Sequence, residues 1–203
     1  MNSHNNLFFL VIFILSLFGL SSVIAEEVSP RGTVELLINS ISSLETEIQL
    51  SPEEIKKNDL LSYNALDRLN IREICRKALG KYWEKLSLTE QKVFIDLLSR
   101  MFIKEAFPNS GKFFSTLKLI YGQTNINELK ANVPLSVVHE KEGEINIDFH
   151  LYKYSNQWQV VDVALDGISM RNNLRSKLYK IISKNNYQEL VRRLEQKLTD
   201  IKK

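Results

Sequence analysis

The chain has 203 residues and 44% of them are hydrophobic, which is enough for one sizeable buried core and does not require a second domain. Its only cysteine is Cys75, so no intramolecular disulfide can form and stability must come from packing. The formal net charge is only +3, which excludes a strongly basic or acidic chain, although the positive charge is concentrated near the C-terminus.

The N-terminal segment has the pattern of a secretory signal peptide. Residues 1–25 contain no Asp, Glu, Lys or Arg, and the apolar run 7–20 is followed by small residues, with Val23 and Ala25 placed as in a cleavage site. The segment lacks the usual basic residue at its start, and it is nearly long enough for an uncleaved membrane anchor, which is the alternative. We expect cleavage after Ala25, which leaves residues 26–203 as a single exported domain.

Four helical segments are predicted before the first strand. Ser29-Pro30 begins a helix whose apolar residues recur on one face, and the capping box from Ser51 to Glu54 begins a second. Residues 71–82 have the apolar spacing of a third helix. Another capping box, from Ser87 to Glu90, begins a fourth and strongly amphipathic helix, which we expect to end at Pro108-Asn109-Ser110-Gly111.

The spacing of apolar residues then changes from a helical to a strand period. Strands are predicted over 113–121, 132–139, 144–154 and 158–165, and the links between the last three are short enough for hairpins. The sheet should therefore be largely antiparallel, with about four to five strands. Because the stretch 158–165 carries apolar residues on both faces, we expect it to be the central strand, covered on two sides.

A turn and two helices complete the chain. Asp166-Gly167 predicts a turn, and Ser169 is suited to cap a helix that begins near Met170, since its hydroxyl can accept from a free backbone N–H. Lys184-Asn185-Asn186 separates this helix from a second one. Helices followed by a sheet and then by helices predict an α+β domain.

The sequence contains no convincing catalytic or metal-binding constellation. Asp162 and Asp166 lie four residues apart at a strand end, but turn and cap chemistry explains them better than acid–base catalysis does. His139 and His150 have no partners at the spacing of metal ligands, and Cys75 lies on an apolar helical face where a buried thiol is typical. Glycine-rich phosphate loops and nucleophile elbows are also missing. We therefore expect neither an enzyme nor a bound cofactor or metal.

Two stretches of the chain carry recognisable motifs. The first is A-L-G-K-Y-W-E-K-L-S at Ala78 to Ser87, and the second is W-Q-V-V-D-V-A-L-D-G-I-S-M-R-N-N-L-R at Trp158 to Arg175. In order and spacing they resemble the MlaC family, the toluene-tolerance-type periplasmic phospholipid-binding proteins of Gram-negative bacteria. The resemblance covers essentially all of the chain after the predicted signal peptide. Leu174 stands where the family usually has tyrosine, and Asn70 stands where an acidic D-F pair normally precedes the first motif.

The resemblance implies a soluble periplasmic carrier with a twisted, cystatin/NTF2-like sheet, wrapped by helices around an internal apolar cavity for the acyl chains of a phospholipid. Each methylene exposed to water costs about 0.8 kcal/mol, so a lipid with two long tails needs such a carrier to cross the periplasm. The implied partners are an inner-membrane ABC transporter complex with an MCE-type ring and an outer-membrane lipoprotein–porin complex, and the implied role is to maintain outer-membrane lipid asymmetry. A monomer without a nucleic-acid partner is expected.

The basic C-terminal tail is the candidate docking surface for these partners. Residues 171–203 hold 10 Lys or Arg against 3 Asp or Glu, whereas residues 1–170 hold 17 against 21. Such asymmetry can indicate a surface for an acidic partner or for anionic lipid headgroups, although solvated helix faces explain any single lysine equally well. We take Arg192 and Arg193 as the docking candidates.

The cavity candidates are bulky apolar and aromatic residues that fall where helix and sheet faces meet. Wall residues and core residues look alike in a sequence, so this set is expected to contain both. The candidates are Tyr82, Trp83, Phe94, Leu98, Met101, Phe102, Leu117, Leu119, Val137, Ile147, Phe149, Val161 and Val163.

Two alternatives to a phospholipid carrier stay open at the level of sequence. A relative of the family works near hopanoid synthesis, so the ligand of this chain could be a polycyclic lipid. The chain could also be a periplasmic interaction domain that binds no lipid and whose core is simply filled.

Overall fold

The structure is a computed structural model that describes residues 27–47, 49–139 and 143–201. The predicted signal peptide, residues 1–25, lies outside these ranges. No helix within the described ranges combines the length and the hydropathy that a membrane-crossing segment needs.

Helices form both ends of the described chain. A 3-10 helix, Gly80–Lys85, and a π-helical turn, Phe102–Ala106, each continue directly from the end of an α-helix. The α-helices are α1 (Pro30–Ser42), α2 (Pro52–Asp67), α3 (Ile71–Leu79), α4 (Leu88–Met101), α5 (Phe107–Ser115), α6 (Met170–Lys184) and α7 (Tyr187–Asp200).

The serine caps predicted from the sequence are confirmed. Ser29, Ser51 and Ser87 each accept a hydrogen bond from the backbone N–H three residues further on, at 3.0, 3.3 and 3.2 Å. In α2 and α4 the capping box is complete, because the carboxylates of Glu54 and Glu90 accept from the backbone N–H of the capping serine. These backbone hydrogen bonds lower the pKa of both carboxyl groups, since they stabilise the charged form.

The predicted helix end at residues 108–111 is wrong. The chain stays helical to Ser115, because the π turn precedes Pro108 and the backbone N–H of Phe107 donates to the carbonyl oxygen of Phe102, five residues back. The wider turn accommodates a proline that would disrupt a continuous α-helix. Gly111 serves packing here, since a Cβ atom would collide with the carbonyl oxygen of Ile41 at the end of α1.

The sheet is antiparallel throughout its described pairings and has six strands. Its order is β1, β3, β4, β5 and β6, and β2 pairs beside β1 along β3. The strands are β1 (Leu119–Tyr121), β2 (Asn125–Asn127), β3 (Lys130–His139), β4 (Gly143–Tyr154), β5 (Gln157–Leu165) and β6 (Ile168–Ser169).

The three long strands β3, β4 and β5 are confirmed, but the first predicted strand is shorter than expected, and the short strands β2 and β6 were not predicted. Only residues 119–121 of the predicted strand 113–121 are extended, because Phe113 and Phe114 belong to the end of α5. Apolar residues at every second position, the pattern that suggested a strand, begin only at Leu117. Strand β2 consists of three exposed residues, so it lacks the apolar alternation that a sequence pattern detects.

The predicted central position of β5 is also wrong, since β5 lies near one edge of the sheet. Strand β4 pairs with it along its length, but on the other side β6 covers only Ala164 and Leu165. In the described ranges an isolated parallel bridge joins Val160 of β5 to Leu69, which lies two residues before the start of α3. The outer edge of β5 is therefore only partly paired.

A β-bulge explains why β5 looks apolar on both faces. Val160 pairs with Leu151 and Asp162 pairs with His150, so Val161 is one residue more than β4 can match. The bulge reverses the alternation of inward and outward side chains along β5. The residues that pack against the same core on either side of the bulge are Trp158, Val160, Val163 and Leu165.

The hydrophobic core lies between this face of the sheet and the helices. Cys75 is fully buried within it, as predicted, and its burial raises the pKa of the thiol. The largest side chains with almost no exposed surface are Phe94, Ile38, Leu79, Leu97, Ile147, Leu151 and Leu190.

Candidate functional site

An apolar pocket of about 270 Å³ lies between the helices and the bulged part of β5. Its walls come from the end of the α2–α3 connection, from α3, α4, the π turn and β5, and from the first turns of α6. Only two of its lining residues, Asp162 and Arg171, are charged. The lining residues are Leu69, Ile74, Leu98, Phe102, Ala106, Val160, Val161, Asp162, Val163, Met170, Arg171 and Leu174.

Two irregular stretches of backbone shape this pocket. The bulge brings Val160, Val161 and Val163 to the pocket together, whereas a regular strand would turn the first of them to the other face. The π turn contributes Phe102 and Ala106 from the opposite side. Each wall of the pocket thus depends on one extra residue inserted into a regular element: the β-bulge in β5 on one side and the π turn between α4 and α5 on the other.

The Asp162 carboxylate joins β5 to the start of α6 at the rim of the pocket. One oxygen accepts a hydrogen bond from the Ser169 hydroxyl at 2.6 Å, and the other accepts from the backbone N–H groups of Val163 and Arg171 at 2.9 and 3.0 Å. The Arg171 guanidinium also lies 3.3 Å from this carboxylate. Ser169 in turn accepts from the Asn172 N–H and caps α6, as predicted. The carboxylate is therefore engaged in holding the corner of the fold.

The turn predicted at Asp166-Gly167 is confirmed. Both residues have positive φ angles, +45° and +79°, which a glycine adopts without strain and an aspartate tolerates. The Asp166 carboxylate accepts a hydrogen bond from the backbone N–H of Asn146 at 2.9 Å. The second carboxylate of the pair thus ties the β5–β6 turn to β4, and it does not converge with Asp162 on a common site.

A second pocket, of about 450 Å³ and with a majority of polar residues in its lining, meets the apolar one at this rim. The two share Val161, Asp162 and Arg171. Within the part of the chain that the structure describes, no group of three His, Cys, Asp or Glu side chains comes together here or elsewhere in the manner of a metal site. The remaining residues of this polar pocket are Asn125, Asn127, Lys130, Ala131, Asn132, His150, Leu151 and Tyr152.

The thirteen cavity candidates fall into three groups. Those that line the apolar pocket are Leu98, Phe102, Val161 and Val163. Those that are almost completely buried in the core outside its lining are Trp83, Phe94, Val137, Ile147 and Phe149. Those that are partly exposed and also lie outside its lining are Tyr82, Met101, Leu117 and Leu119.

Several residues of the pocket carry no signal in the sequence. Arg171 is one of many basic residues of the tail, and Ala106 is the last residue of a π turn that has no pattern in the sequence. Ile74 and Leu174 belong to predicted apolar helix faces, which could have suggested them. Only the contact with Asp162 in the structure identifies Arg171 as a residue of the pocket rim.

The two sequence motifs meet beside the pocket, where α3 packs against α6. Gly80 has a φ of +48°, and the space where its side chain would lie is filled by the Tyr179 hydroxyl and the Arg175 guanidinium. The Tyr179 hydroxyl oxygen accepts hydrogen bonds from the Lys81 backbone N–H and from Arg175, both at 3.2 Å. Asn70, where the motif pattern has an acidic residue, caps α3 by accepting from a backbone N–H at 2.9 Å.

The two docking candidates on α7 share one carboxylate. Arg192 and Arg193 are exposed, and each lies 2.7 Å from the Glu189 side chain. Hydrogen bonds from these two guanidinium groups lower the pKa of Glu189 to about 2. The two cations therefore present a partly neutralised surface.

Helices packed on one face of an antiparallel sheet, with an apolar pocket between them, define the structural class. The chain belongs to the MlaC family, because the family model described as MlaC protein matches residues 33–196. This confirms the resemblance and, with the architecture above, the α+β fold.

One solved structure shows the same fold over most of the chain. It is the phospholipid-binding protein from Ralstonia solanacearum in complex with a phospholipid, with a TM-score of 0.69 and 16% sequence identity. The match covers 88% of this chain and 100% of that one. Among curated proteins, none matches this sequence significantly.

Proposed function

We propose that this protein binds a phospholipid by its acyl chains and carries it through the periplasm. The observation that carries the proposal is the apolar pocket with its charged rim, in a chain of the MlaC family. The Ralstonia solanacearum neighbour is a phospholipid-binding protein in complex with a phospholipid, which supports the same class of ligand. A carrier releases its lipid unchanged, so the proposed function requires no catalytic residue.

Burial of hydrocarbon would supply the affinity, at about 0.8 kcal/mol for each methylene removed from water. The pocket of about 270 Å³ is smaller than the ~300–1,000 Å³ that is typical of small-ligand sites, so two long chains require its walls to separate. The outer edge of β5 is only partly paired, by β6 and by the bridge between Val160 and Leu69. Lipid loading should therefore move the helices relative to this edge of the sheet.

The proposed cycle places the carrier between two membranes. It would exchange phospholipid with an outer-membrane lipoprotein–porin complex and with an inner-membrane ABC transporter complex that has an MCE-type ring, and so maintain outer-membrane lipid asymmetry. Arg192 and Arg193 are the proposed docking residues for these complexes. Charge reversal at both should weaken partner binding most at low salt, because exposed charges interact over a Debye length. Unchanged affinity at low salt would argue against this surface.

Extraction of the bound lipid tests which class of ligand the protein carries. The whole chain is expressed with its own N-terminal segment, and the protein recovered from the periplasm is extracted with organic solvent and analysed by mass spectrometry. Diacyl phospholipid in the extract is the expected result, and recovery from the periplasm also tests export.

The same extract distinguishes the alternatives. A polycyclic lipid in place of phospholipid would assign the protein to hopanoid-type ligands. A folded monomer that yields no lipid, and takes none up from added vesicles, would overturn the carrier function and favour an interaction domain.

A further inference from the structure

A cluster of cations and tyrosines lies where the two motifs meet, and the proposed lipid pocket does not use it. The rings of Tyr82 and Tyr179 contact each other edge to face, with their centres 4.9 Å apart. Lys81 Nζ lies 5.4 and 5.9 Å from the two ring centres, and Lys85 Nζ lies 6.0 Å from that of Tyr82. The Arg175 guanidinium lies 5.0 Å from the ring centre of Tyr179. We refer to these five residues as the cationic cluster.

The backbone holds this cluster in place. The Tyr179 hydroxyl oxygen accepts two hydrogen bonds, from the Lys81 N–H and from Arg175, so its own proton is free to be donated outward. Gly80 permits this close packing, since it has no side chain in the space that Tyr179 and Arg175 occupy. Tyr179 and Arg175 are thus held in a fixed arrangement beside the lysines.

The basic side chains of the cluster form no ion pair in the described ranges. Lys81, Lys85 and Arg175 are exposed, and none of them lies within 4 Å of a carboxylate in the described ranges. The docking candidates on α7 differ in this respect, because Arg192 and Arg193 both pair with Glu189. The cationic cluster is therefore the better site for an anionic surface.

The helices α3 and α6 line the apolar pocket and also lead to the cationic cluster, whose Lys81, Tyr82 and Lys85 lie on the 3-10 helix that continues α3. Ile74 on α3 and Leu174 on α6 line the pocket, and the same helices lead to Gly80 and Tyr179, which touch each other. Six residues separate Ile74 from Gly80, which corresponds to about 9 Å along a helix. An anionic surface in contact with the cluster would thus lie beside the pocket.

We propose that the cationic cluster docks this protein onto the phosphate groups of an anionic lipid bilayer. Tyrosine rings with an apolar body and a polar tip are typical of the bilayer interface, where lysine stems also extend along apolar surface to reach the headgroups. Lysine ammonium groups on flexible stems adapt to mobile lipid phosphates, and the Tyr179 hydroxyl adds a directed donor. This combination fits a headgroup layer better than the fixed carboxylates of an acidic protein.

Vesicle flotation at low ionic strength tests the proposal. The protein recovered from the periplasm is mixed with vesicles of phosphatidylcholine alone, or with vesicles in which about a third of the lipid is phosphatidylglycerol, a fraction that gives a negative surface. Wild-type protein should bind the anionic vesicles, bind neutral ones weakly, and dissociate as salt is raised.

Two triple variants separate the cluster from net charge. Lys81→Gln/Lys85→Gln/Arg175→Gln should weaken binding to anionic vesicles at least about tenfold, since each basic residue near the surface contributes to the attraction. The control Lys56→Gln/Lys112→Gln/Lys118→Gln removes the same charge from exposed lysines outside the cluster and should bind nearly as wild type does. Circular dichroism and thermal unfolding establish that each variant is folded. The double variant Lys81→Gln/Lys85→Gln, which removes no side-chain hydrogen bond, replaces the first if Arg175→Gln disturbs the fold.

Two outcomes would overturn the proposal. One is a wild-type protein that does not float with anionic vesicles, and the other is an equal loss of binding in the cluster variant and the control. Flotation measures attachment and not lipid uptake, so this result is independent of whether the pocket holds a phospholipid.

Discussion

Gly80 and Tyr179 lie so close together that a Cβ atom at Gly80 would be 2.5 Å from the Tyr179 hydroxyl oxygen. Gly80 also has a φ of +48° and directs the chain from α3 into the 3-10 helix that follows. One motif supplies the glycine, and the tyrosine lies one helical turn beyond Arg175, the last residue of the other motif. The packing of α3 against α6 therefore explains why a glycine stands here.

Substitution Gly80→Ala should destabilise the fold by about 2–4 kcal/mol, because a strained backbone adds to a steric overlap. Gly167→Ala is the matched control, since Gly167 also has a positive φ, +79°, but nothing lies within 4 Å of the added Cβ. The control should lose only the backbone contribution, about 1–2 kcal/mol. Chemical denaturation measures both, and equal losses would show that the contact with Tyr179 is unimportant.

The same Asp→Asn substitution should have very different effects on stability at Asp162 and at Asp166, the two aspartates near the end of β5. Asp162→Asn removes the charge from a group that is 7% exposed and that binds Ser169, Arg171 and Val163, so a loss of about 2–3 kcal/mol is expected. Asp166→Asn keeps an oxygen for the exposed hydrogen bond and a side chain that tolerates positive φ, and it should change stability by at most about 0.5 kcal/mol. Urea unfolding curves of the two variants would refute the assignment if their order were reversed.

The division between wall and core residues can be tested with one type of substitution. Val163 lines the apolar pocket and Val137 is fully buried outside its lining, although both were cavity candidates. Val163→Phe should fill the pocket and reduce bound lipid, with little loss of stability. Val137→Phe should overpack a dense core and cost about 1–3 kcal/mol. Lipid content per folded protein and the unfolding midpoint are the two measurements, and a lipid content that falls only in the Val137 variant would contradict the pocket.

The paired arginines on α7 should make stability depend on pH in the acidic range. The pKa of Glu189 in the folded protein is about 2, below the ordinary value of 4.5, because Arg192 and Arg193 stabilise the carboxylate. The stabilisation is fully present above pH ~4.5 and is lost as pH falls towards ~2, where the carboxylate becomes protonated. The melting temperature of wild type should therefore exceed that of Glu189→Gln at neutral pH and converge with it in acid. A constant difference between the two would exclude Glu189 as the titrating group.

The thiol of Cys75 should be unreactive in the native protein. It has no exposed surface, and burial raises its pKa above the ordinary value of 9.0, so almost no thiolate is present at neutral pH. A colorimetric thiol reagent should react quickly only after denaturant is added. Rapid labelling of the native protein would show that α3 opens far more often than its packing indicates.

Much of the fold follows from local patterns in the sequence. Capping boxes at Ser51 and Ser87 predicted two helix starts, because side chain and backbone satisfy each other within one turn. The alternation over 144–154 predicted β4, because one face of that strand is buried. Such signals depend only on neighbours in the chain, so they can be recognised without knowledge of the tertiary structure.

The candidate site could be predicted only in part, because its walls depend on interactions between distant elements. The bulge at Val161 exists relative to β4, and it made a strand near the edge of the sheet look like a central one. Pro108 to Gly111 looked like a helix end, because the π turn that lets the helix continue past Pro108 has no pattern in the sequence. Four of the thirteen candidates line the pocket, since wall and core residues have the same polarity and differ only in what stands opposite them.

Because of the π turn, the number of residues between α4 and α5 is as important for the fold as the identity of those residues. Deleting one residue from Phe102–Ala106 would remove the wide turn and place Pro108 inside a continuous α-helix, where it is disruptive, and every later residue of α5 would rotate by about 100° around the axis. Gly111 would then turn away from the Ile41 carbonyl, and a bulkier neighbour would take its place. Insertions and deletions here should therefore be tolerated far less than substitutions, although the segment lies within a run of helices.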